Sequence, residues 1–284
     1  LPQQDLAPIM AQLIKAIHEK DHKAVENILA SAPSHVTGTT DQNGYSLLHH
    51  AAAANAPSII KTLIDAGADP AVRAPKFAVV SRYPVFVTLK HRTWDTFKDL
   101  FYATYTGTSP DRPHIDHRQG GSTLLVNAVR NVNDDTDGAK IVEAILKHKA
   151  DPNIICGGMP GCTALHHAAK FNKFRIIESI CKHGHNTNIE AMTSNGRFSV
   201  PALILACIEG HAGAARILCK YGANTATPCA RGGTAFMYYA RFYDEPDQTC
   251  PVAEILTKAG YDIETRDIVH NRAIHHAARN DHKS

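Results

Sequence analysis

The sequence predicts an all-α solenoid of stacked antiparallel helix pairs with projecting loops or hairpins. Three observations carry this. The phrase "LHHAA" at 48–52 returns at 165–169 and again, as "IHHAA", at 274–278. Weaker copies fall between them at a period of about 33 residues or slightly more. Each copy is followed by a polar turn and a longer amphipathic segment. Self-similarity at such a period marks a unit that cannot bury its apolar face alone and must stack on its neighbours.

The register follows from the residue three before the first His of each phrase: Ser46, Thr163 and Arg272. "GSTLLVNAV" adds Thr123, "SVPALILAC" adds Pro201, "GGTAFMYYA" adds Thr234, and the poorest copy, "RYPVFVTL", adds Tyr83. Successive markers (46, 83, 123, 163, 201, 234 and 272) are unevenly spaced, so one short unit carries loop insertions of varying length. In each unit the first helix is short and rich in alanine; pairs such as Ala51–Ala52 and Ala168–Ala169 let it lie close to its neighbours. The second is amphipathic, with Ile60, Leu63 and Ile64 at helical spacing, as are Ile141, Val142, Ile145 and Leu146. Gly67, Gly184, Gly222 and Gly260 stand where it must stop, the left-handed position that glycine takes at least cost. "IMAQLIKAIHEKDHKAVENILASAP" reads as a capping helix pair. The expected division is a cap over 1–40 and about seven units over 41–284, with a diverged repeat and long loops at 74–120.

These residues carry a family resemblance. "DQNGYSLLHHAAAANAPSIIKTLIDAGADPAVR" (41–73) closely resembles the ankyrin repeat in length and order of parts, and "GCTALHHAAKFNKFRIIESICKHGHNTN" (161–188) is nearly as good. With the degenerate copies, the resemblance covers roughly 41–284. It implies a rigid concave face of first helices and loop tips that binds other proteins, with no catalysis and no cofactor. His49, His166 and His275 fall on the family's usual His, which in that family bonds backbone between neighbouring loops. The three copies lie several repeats apart along the solenoid, so they cannot share a metal. Adjacent His residues also point about 100° apart on a helix and form no i,i+4 chelating pair. The first His is therefore architecture, and the second (His50, His167, His276) is expected to be a surface contact.

Bulk properties narrow the function classes. The net charge of +3 over 284 residues is too weak to argue for a nucleic-acid partner. No stretch reaches 18 apolar residues, and the most apolar one, "FAVVSRYPVFVTL", is broken by Arg82 and Pro84. The first residues lack the basic flank and apolar run of a signal peptide. Seven irregularly spaced cysteines, an odd number, read as free thiols in a reducing, cytoplasmic setting. The chain begins without Met and stops just after a repeat phrase, which reads as an excerpt of a longer protein. Divergent repeats with long inserts also resemble the ankyrin arrays of bacterial and viral effectors that act inside host cells, in the cytosol or nucleus.

Several stretches invite chemistry. "CGGMPGC" (156–162) before His166 has the look of a metal or phosphate loop. It lacks the Lys-Ser/Thr of a P-loop and a second Cys/His pair for zinc, and it falls where the repeat's loop belongs. Cys156, Cys162 and Cys229 lie near loops, so a cysteine hydrolase is the enzymatic alternative; no nucleophile signature surrounds them. "HIDH" (114–117) sits in a Pro-flanked stretch and reads as a solvated loop. In the diverged region Trp94, Phe97, Leu100 and Phe101 have the spacing of a packed helix, flanked by Arg73, Lys76, Arg82, Arg112 and Arg118. "MYYARFYDEPDQTCP" (237–251) concentrates aromatic area in a short helix.

The expected contacts lie at loop tips and first-helix outer positions: Asn43, Tyr45 and His50; Arg82; Arg118 and Gln119; Met159 and His167; Arg197 and Phe198; Arg231, Tyr238 and Tyr239. Arg at successive tips points to a partner protein with an acidic surface, bound by a monomer. A passive structural spacer, with dispensable tips, is the remaining alternative.

Overall fold

A computed structural model describes residues 6–75, 83–107, 112–157, 161–193, 199–242 and 251–279. Its described residues form fifteen α-helices and no strand; the only bridges among them are the isolated antiparallel contacts Thr40–Ser46 and Cys156–Cys162. The chain divides into two compact units, residues 1–119 and 120–284.

In the first unit the helices are α1 (Leu6–Glu19), α2 (His22–Ser31), α3 (Leu47–Ala54), α4 (Pro57–Asp65), α5 (Pro84–Thr88) and α6 (Trp94–Thr106). Members of each pair pack on one another, and α1, α3 and α5 form one row beside a second row of α2, α4 and α6. The poorest copy of the phrase therefore still builds a pair, α5–α6. Its aromatic residues are core: Phe97 and Phe101 are fully buried, with ring centroids 4.9 Å apart. Nearby arginines are put to local use. Arg73 lies 5.8 Å over the Tyr83 ring, and Arg112 donates to the Tyr105 carbonyl at 3.0 Å.

The second unit contains α7 (Leu124–Asn131), α8 (Thr136–Lys147), α9 (Ala164–Lys170), α10 (Phe174–His183), α11 (Ala202–Ile208), α12 (Ala212–Lys220), α13 (Ala235–Phe242), α14 (Pro251–Lys258) and α15 (Ala273–Ala278). The odd-numbered helices contact each other in sequence, as do the even-numbered ones. Ser46, Tyr83, Thr123, Thr163, Pro201 and Arg272 each occupy the N-cap of a first helix, with extended backbone. Leu165, Ile176, Ile177, Ile180, Leu203, Ile204 and Leu218 close the interior between the rows. Ala51, Ala52, Ala168 and Ala169 are fully buried, as close approach of first helices requires.

Polar groups join successive repeats. The turn between α9 and α10 bonds to the repeat before it: Lys173 Nζ donates to the carbonyls of Val129 (2.6 Å) and Val132 (2.7 Å) at the end of α7. In return Asp134 accepts the amides of Arg175 and Ile176 in the first turn of α10. His211 repeats the device one unit on, its ring meeting the Lys170 carbonyl at 3.0 Å, while Asn172 accepts the Ala214 amide. Helix ends bare four carbonyls or four amides each, so these side chains satisfy groups that the helices cannot.

One glycine differs from expectation. Gly67, Gly222 and Gly260 take positive φ after α4, α12 and α14. Gly184 does not: its φ is −74°, and Asn186 carries the left-handed conformation instead. Gly184 is required by crowding, since a Cβ there would come within 2.5 Å of the Ile180 carbonyl oxygen.

Candidate binding face

The paired histidines divide their labour within each phrase. His49 Nδ1 accepts the Ser46 amide (3.2 Å) and lies 2.9 Å from the Ser46 hydroxyl. His166 stands in the same relation to Thr163, at 3.2 and 2.8 Å, and His275 Nδ1 accepts the Arg272 amide at 3.1 Å. The ring thus serves as the reciprocal acceptor that Glu or Gln supplies in an ordinary capping box. With Nδ1 accepting, the proton of His166 sits on Nε2 and is donated to the Val200 carbonyl in the next repeat's loop, 3.2 Å away. Burial lowers the His166 pKa against the raising effect of the Val200 and Ala191 carbonyls, so the ring is held neutral.

The second histidine depends on a residue nine positions earlier. His50 Nε2 meets Asp41 Oδ2 at 3.0 Å, and Asp41 Oδ1 accepts the amides of Asn43 (2.9 Å) and Tyr45 (2.8 Å). At the other end of the chain His276 Nε2 meets Asp267 Oδ2 at 2.9 Å, and Asp267 Oδ1 accepts the amides of Val269 and Asn271. One carboxylate therefore pins a loop tip and ties it to the first helix. His276, expected at the surface, is buried at this tie, whereas His50 at the equivalent one is half-buried. Burial raises the Asp267 pKa, but the Asn271 and Val269 amides and the His276 ring outweigh it and hold the carboxyl below its ordinary value. Asp41 and Asp267 are loop-ordering residues that the phrase alone does not reveal; their signal is the shared nine-residue spacing to the second His.

The middle copy lacks that partner, because Gly158 stands nine residues before His167. His167, also expected at the surface, is instead interior, 3 % exposed. Its Nε2 is buried with no hydrogen-bond partner among the described residues. Burial first, then the charges of Arg130, Lys170 and Lys173 with His166, pull its pKa down to about 4. Tyr239 is likewise buried and not presented outward, since it falls on the inner side of α13.

Of the other expected contact residues, Asn43, Arg118 and Arg231 are exposed, and Tyr45, His50, Gln119 and Tyr238 are half-buried. Asn43, Tyr45 and His50 are brought together around Asp41, with the Tyr45 ring 6.3 Å from that of His50. Tyr238 is held by a 3.1 Å contact between its hydroxyl and Cys229 Sγ. Arg82, Met159, Arg197 and Phe198 lie outside the described residues, as do Lys76 and the tip of the "CGGMPGC" loop. The arms of that loop pair antiparallel through the Cys156 amide and the Cys162 carbonyl at 3.1 Å.

The enzymatic alternative needs an activated thiol, which burial opposes at four of the cysteines, Cys162 among the three candidates. Burial pushes Cys162 up, Cys181 to about 12 and Cys219 to about 11, and raises Cys207 further, which disfavours thiolate at each. Among the described residues no group of His, Cys, Asp or Glu could hold a metal ion. His114 and His117 diverge: His114 lies 3.9 Å from Asp116, while His117 packs its ring against Tyr83. No helix among the described residues is long and apolar enough to cross a membrane.

Comparison with known proteins agrees with this architecture. A family model described as ankyrin repeats in three copies matches residues 125–227, and one described as a single ankyrin repeat matches residues 43–72. No curated protein matches the sequence. Among solved structures, the ankyrin repeat domain of Bcl-3, described as a unique member of the IkappaB protein family, aligns with a TM-score of 0.62 at 21% identity, covering 87% of this chain and 97% of that one. EF0377, an ankyrin repeat protein, aligns with a TM-score of 0.55 at 20% identity, covering 70% and 92%. Likeness at such identity carries the fold and nothing finer.

Proposed function

Because this chain belongs to the ankyrin-repeat family, whose repeats are generally protein–protein interaction modules, we propose that it is a docking scaffold that binds a partner protein through its loop tips and the outer positions of its first helices. The observation that carries the reading is the prior ordering of the tips. Asp41 and Asp267 each hold two loop amides and a first-helix histidine. Association costs several kcal/mol in lost freedom, with about 0.5–1.5 kcal/mol more for each side chain immobilised, so a face already ordered keeps more of its contact energy. Exposed Asn43 and Arg118 in the first unit and Arg231 in the second supply polar and cationic contacts at their tips, and the arginines favour a partner with an acidic surface. The setting proposed is a reducing intracellular one, including the cytosol of a host cell.

The test is capture from eukaryotic cytosolic lysate by this chain and by its Arg118→Glu, Arg197→Glu, Arg231→Glu variant, with folding of both checked by circular dichroism. A protein bound by the first and lost by the second is the expected result. Capture that ignores the three charges, or no capture at all, removes the tip face from consideration and leaves a passive spacer.

A further inference from the structure

The last two first helices of the second unit border a cleft of about 240 Å³. Buried Met237 and half-buried Tyr238 of α13 line it. Arg241 of α13, Arg231 of the loop before it, Arg279 at the end of α15, and Ile268 and Val269 of the loop tip before α15 line the rest. Its size decides what can enter. Pockets for whole small molecules run from about 300 to 1,000 Å³, so this one admits a few side chains of a larger partner and not a cofactor.

Its chemistry is one-sided. Three guanidinium groups line the cleft, against a single carboxylate, Asp267. That carboxylate is already engaged, Oδ1 by two loop amides and Oδ2 by His276. Among the described residues neither Arg241 nor Arg279 has a carboxylate within ion-pair distance. Beside these charges the aliphatic Ile268 and Val269 are 71 % and 64 % exposed, where the equivalent tip pinned by Asp41 exposes the polar Gln42 and Asn43. A rigid, apolar tip that is exposed among the described residues, set beside two cations with no carboxylate within ion-pair distance among those residues, is complementary to an apolar side chain bracketed by carboxylates.

We propose that this cleft is the acceptor for an acidic linear segment of the partner protein, in which aspartate or glutamate residues flank an aliphatic one. The proposal rests on the scaffold reading above and names the chemistry recognised at one end of it. Arg241 and Arg279 take the carboxylates, and Arg231 adds a third cation. Ile268 and Val269 cover the aliphatic side chain. Tyr238, its hydroxyl fixed on Cys229 and its ring stacked with Phe242 at 6.0 Å, gives the lining an aromatic surface already held in place. Nucleic acid fits less well: its phosphates would meet the arginines, but an isoleucine and a valine on the rim offer nothing to its backbone, and the whole chain carries only +3.

The experiment is fluorescence-anisotropy titration of the whole chain with a labelled peptide in which glutamates bracket two leucines. The same peptide with glutamine for glutamate, and a labelled single-stranded DNA, are titrated alongside. The glutamate peptide should bind, and the glutamine peptide should bind at least about tenfold more weakly, as the loss of several partly exposed ion pairs implies. Arg241→Glu with Arg279→Glu should weaken the glutamate peptide by a similar factor, and Ile268→Ser with Val269→Ser should weaken both peptides. All four positions are exposed, so the fold survives, and Arg216→Glu on the exposed side of α12 should change nothing. Equal binding of the two peptides, or indifference to the arginines, overturns the proposal. DNA binding through the same arginines without peptide binding overturns it in favour of nucleic acid. A concentration-dependent dimer abolished by Ile268→Ser overturns it by assigning the cleft to a second copy of the chain. In each of these cases the broader scaffold reading still stands or falls on the tip-charge capture.

Discussion

Replacing Lys173 with methionine should destabilise the second unit by about 2 kcal/mol, the sum of two discounted hydrogen bonds from a charged donor. Lys173 caps α10 at its N-terminus, and its ammonium spans to the preceding repeat, where it donates to the carbonyls of Val129, Arg130 and Val132. These carbonyls close α7, whose last turn has no intrahelical donors for them and carries the negative end of the helix dipole. Hydrogen bonds to a charged group are worth about 1.5–3 kcal/mol each when well buried. The contact to Arg130 is exposed and 3.3 Å long, so it is assigned nothing; the other two are part-buried and discounted to about 1 kcal/mol each. Methionine keeps the aliphatic stem and its packing, which confines the loss to the polar head. Urea denaturation followed by far-UV circular dichroism measures the change from the midpoint at unchanged slope. A loss below about 0.5 kcal/mol would refute the claim that cross-repeat capping couples these repeats and would leave apolar packing to do so alone.

Other consequences concern single positions. His167, its pKa held at about 4 against an ordinary 6.5, is more readily protonated in the unfolded chain. The stability tied to the neutral ring is therefore complete above pH 6.5 and lost as pH falls toward 4; His167→Leu should flatten the stability profile across that window, and denaturation at stepped pH checks it. Leu165→Ala, at a site 2 % exposed, should cost about 2–5 kcal/mol by opening a cavity, and an unchanged unfolding midpoint would contradict its place in the core. Gly44→Ala should destabilise by at least about 1 kcal/mol, because φ is +78° and a Cβ would lie 2.5 Å from Pro75 Cγ; thermal unfolding of the variant reads this directly.

Much of the fold was legible because it rests on local chemistry. Helical spacing places Ile60, Leu63, Ile141, Val142 and Ile145 on buried faces, and those residues are fully buried. The repeat register places the marker at a helix start even where the phrase is poor: Tyr83 and Pro201 hold the N-cap position with extended backbone although neither side chain makes a capping hydrogen bond. His49, His166 and His275 were readable as architecture from the family resemblance and from a spacing that keeps them from sharing a metal.

What lay beyond the sequence depends on distances between repeats. The three second histidines are identical in the phrase, yet His50 and His276 hold carboxylates at part-exposed and buried loop roots while His167 is enclosed without one. Their fates turn on whether an aspartate stands nine residues away and on how closely the adjacent repeat approaches, and helical periodicity encodes neither. Gly184 was placed at a helix end for its backbone freedom, but the crowding of Ile180 and Thr187 around it is what excludes a side chain. The arginine cleft joins Arg241 to Arg279, which belong to different repeats, a juxtaposition that stacking alone creates. A repeat sequence thus determines its own unit, since capping and amphipathic spacing act within a few residues. The pairing of exposed groups from different units is decided only when those units pack.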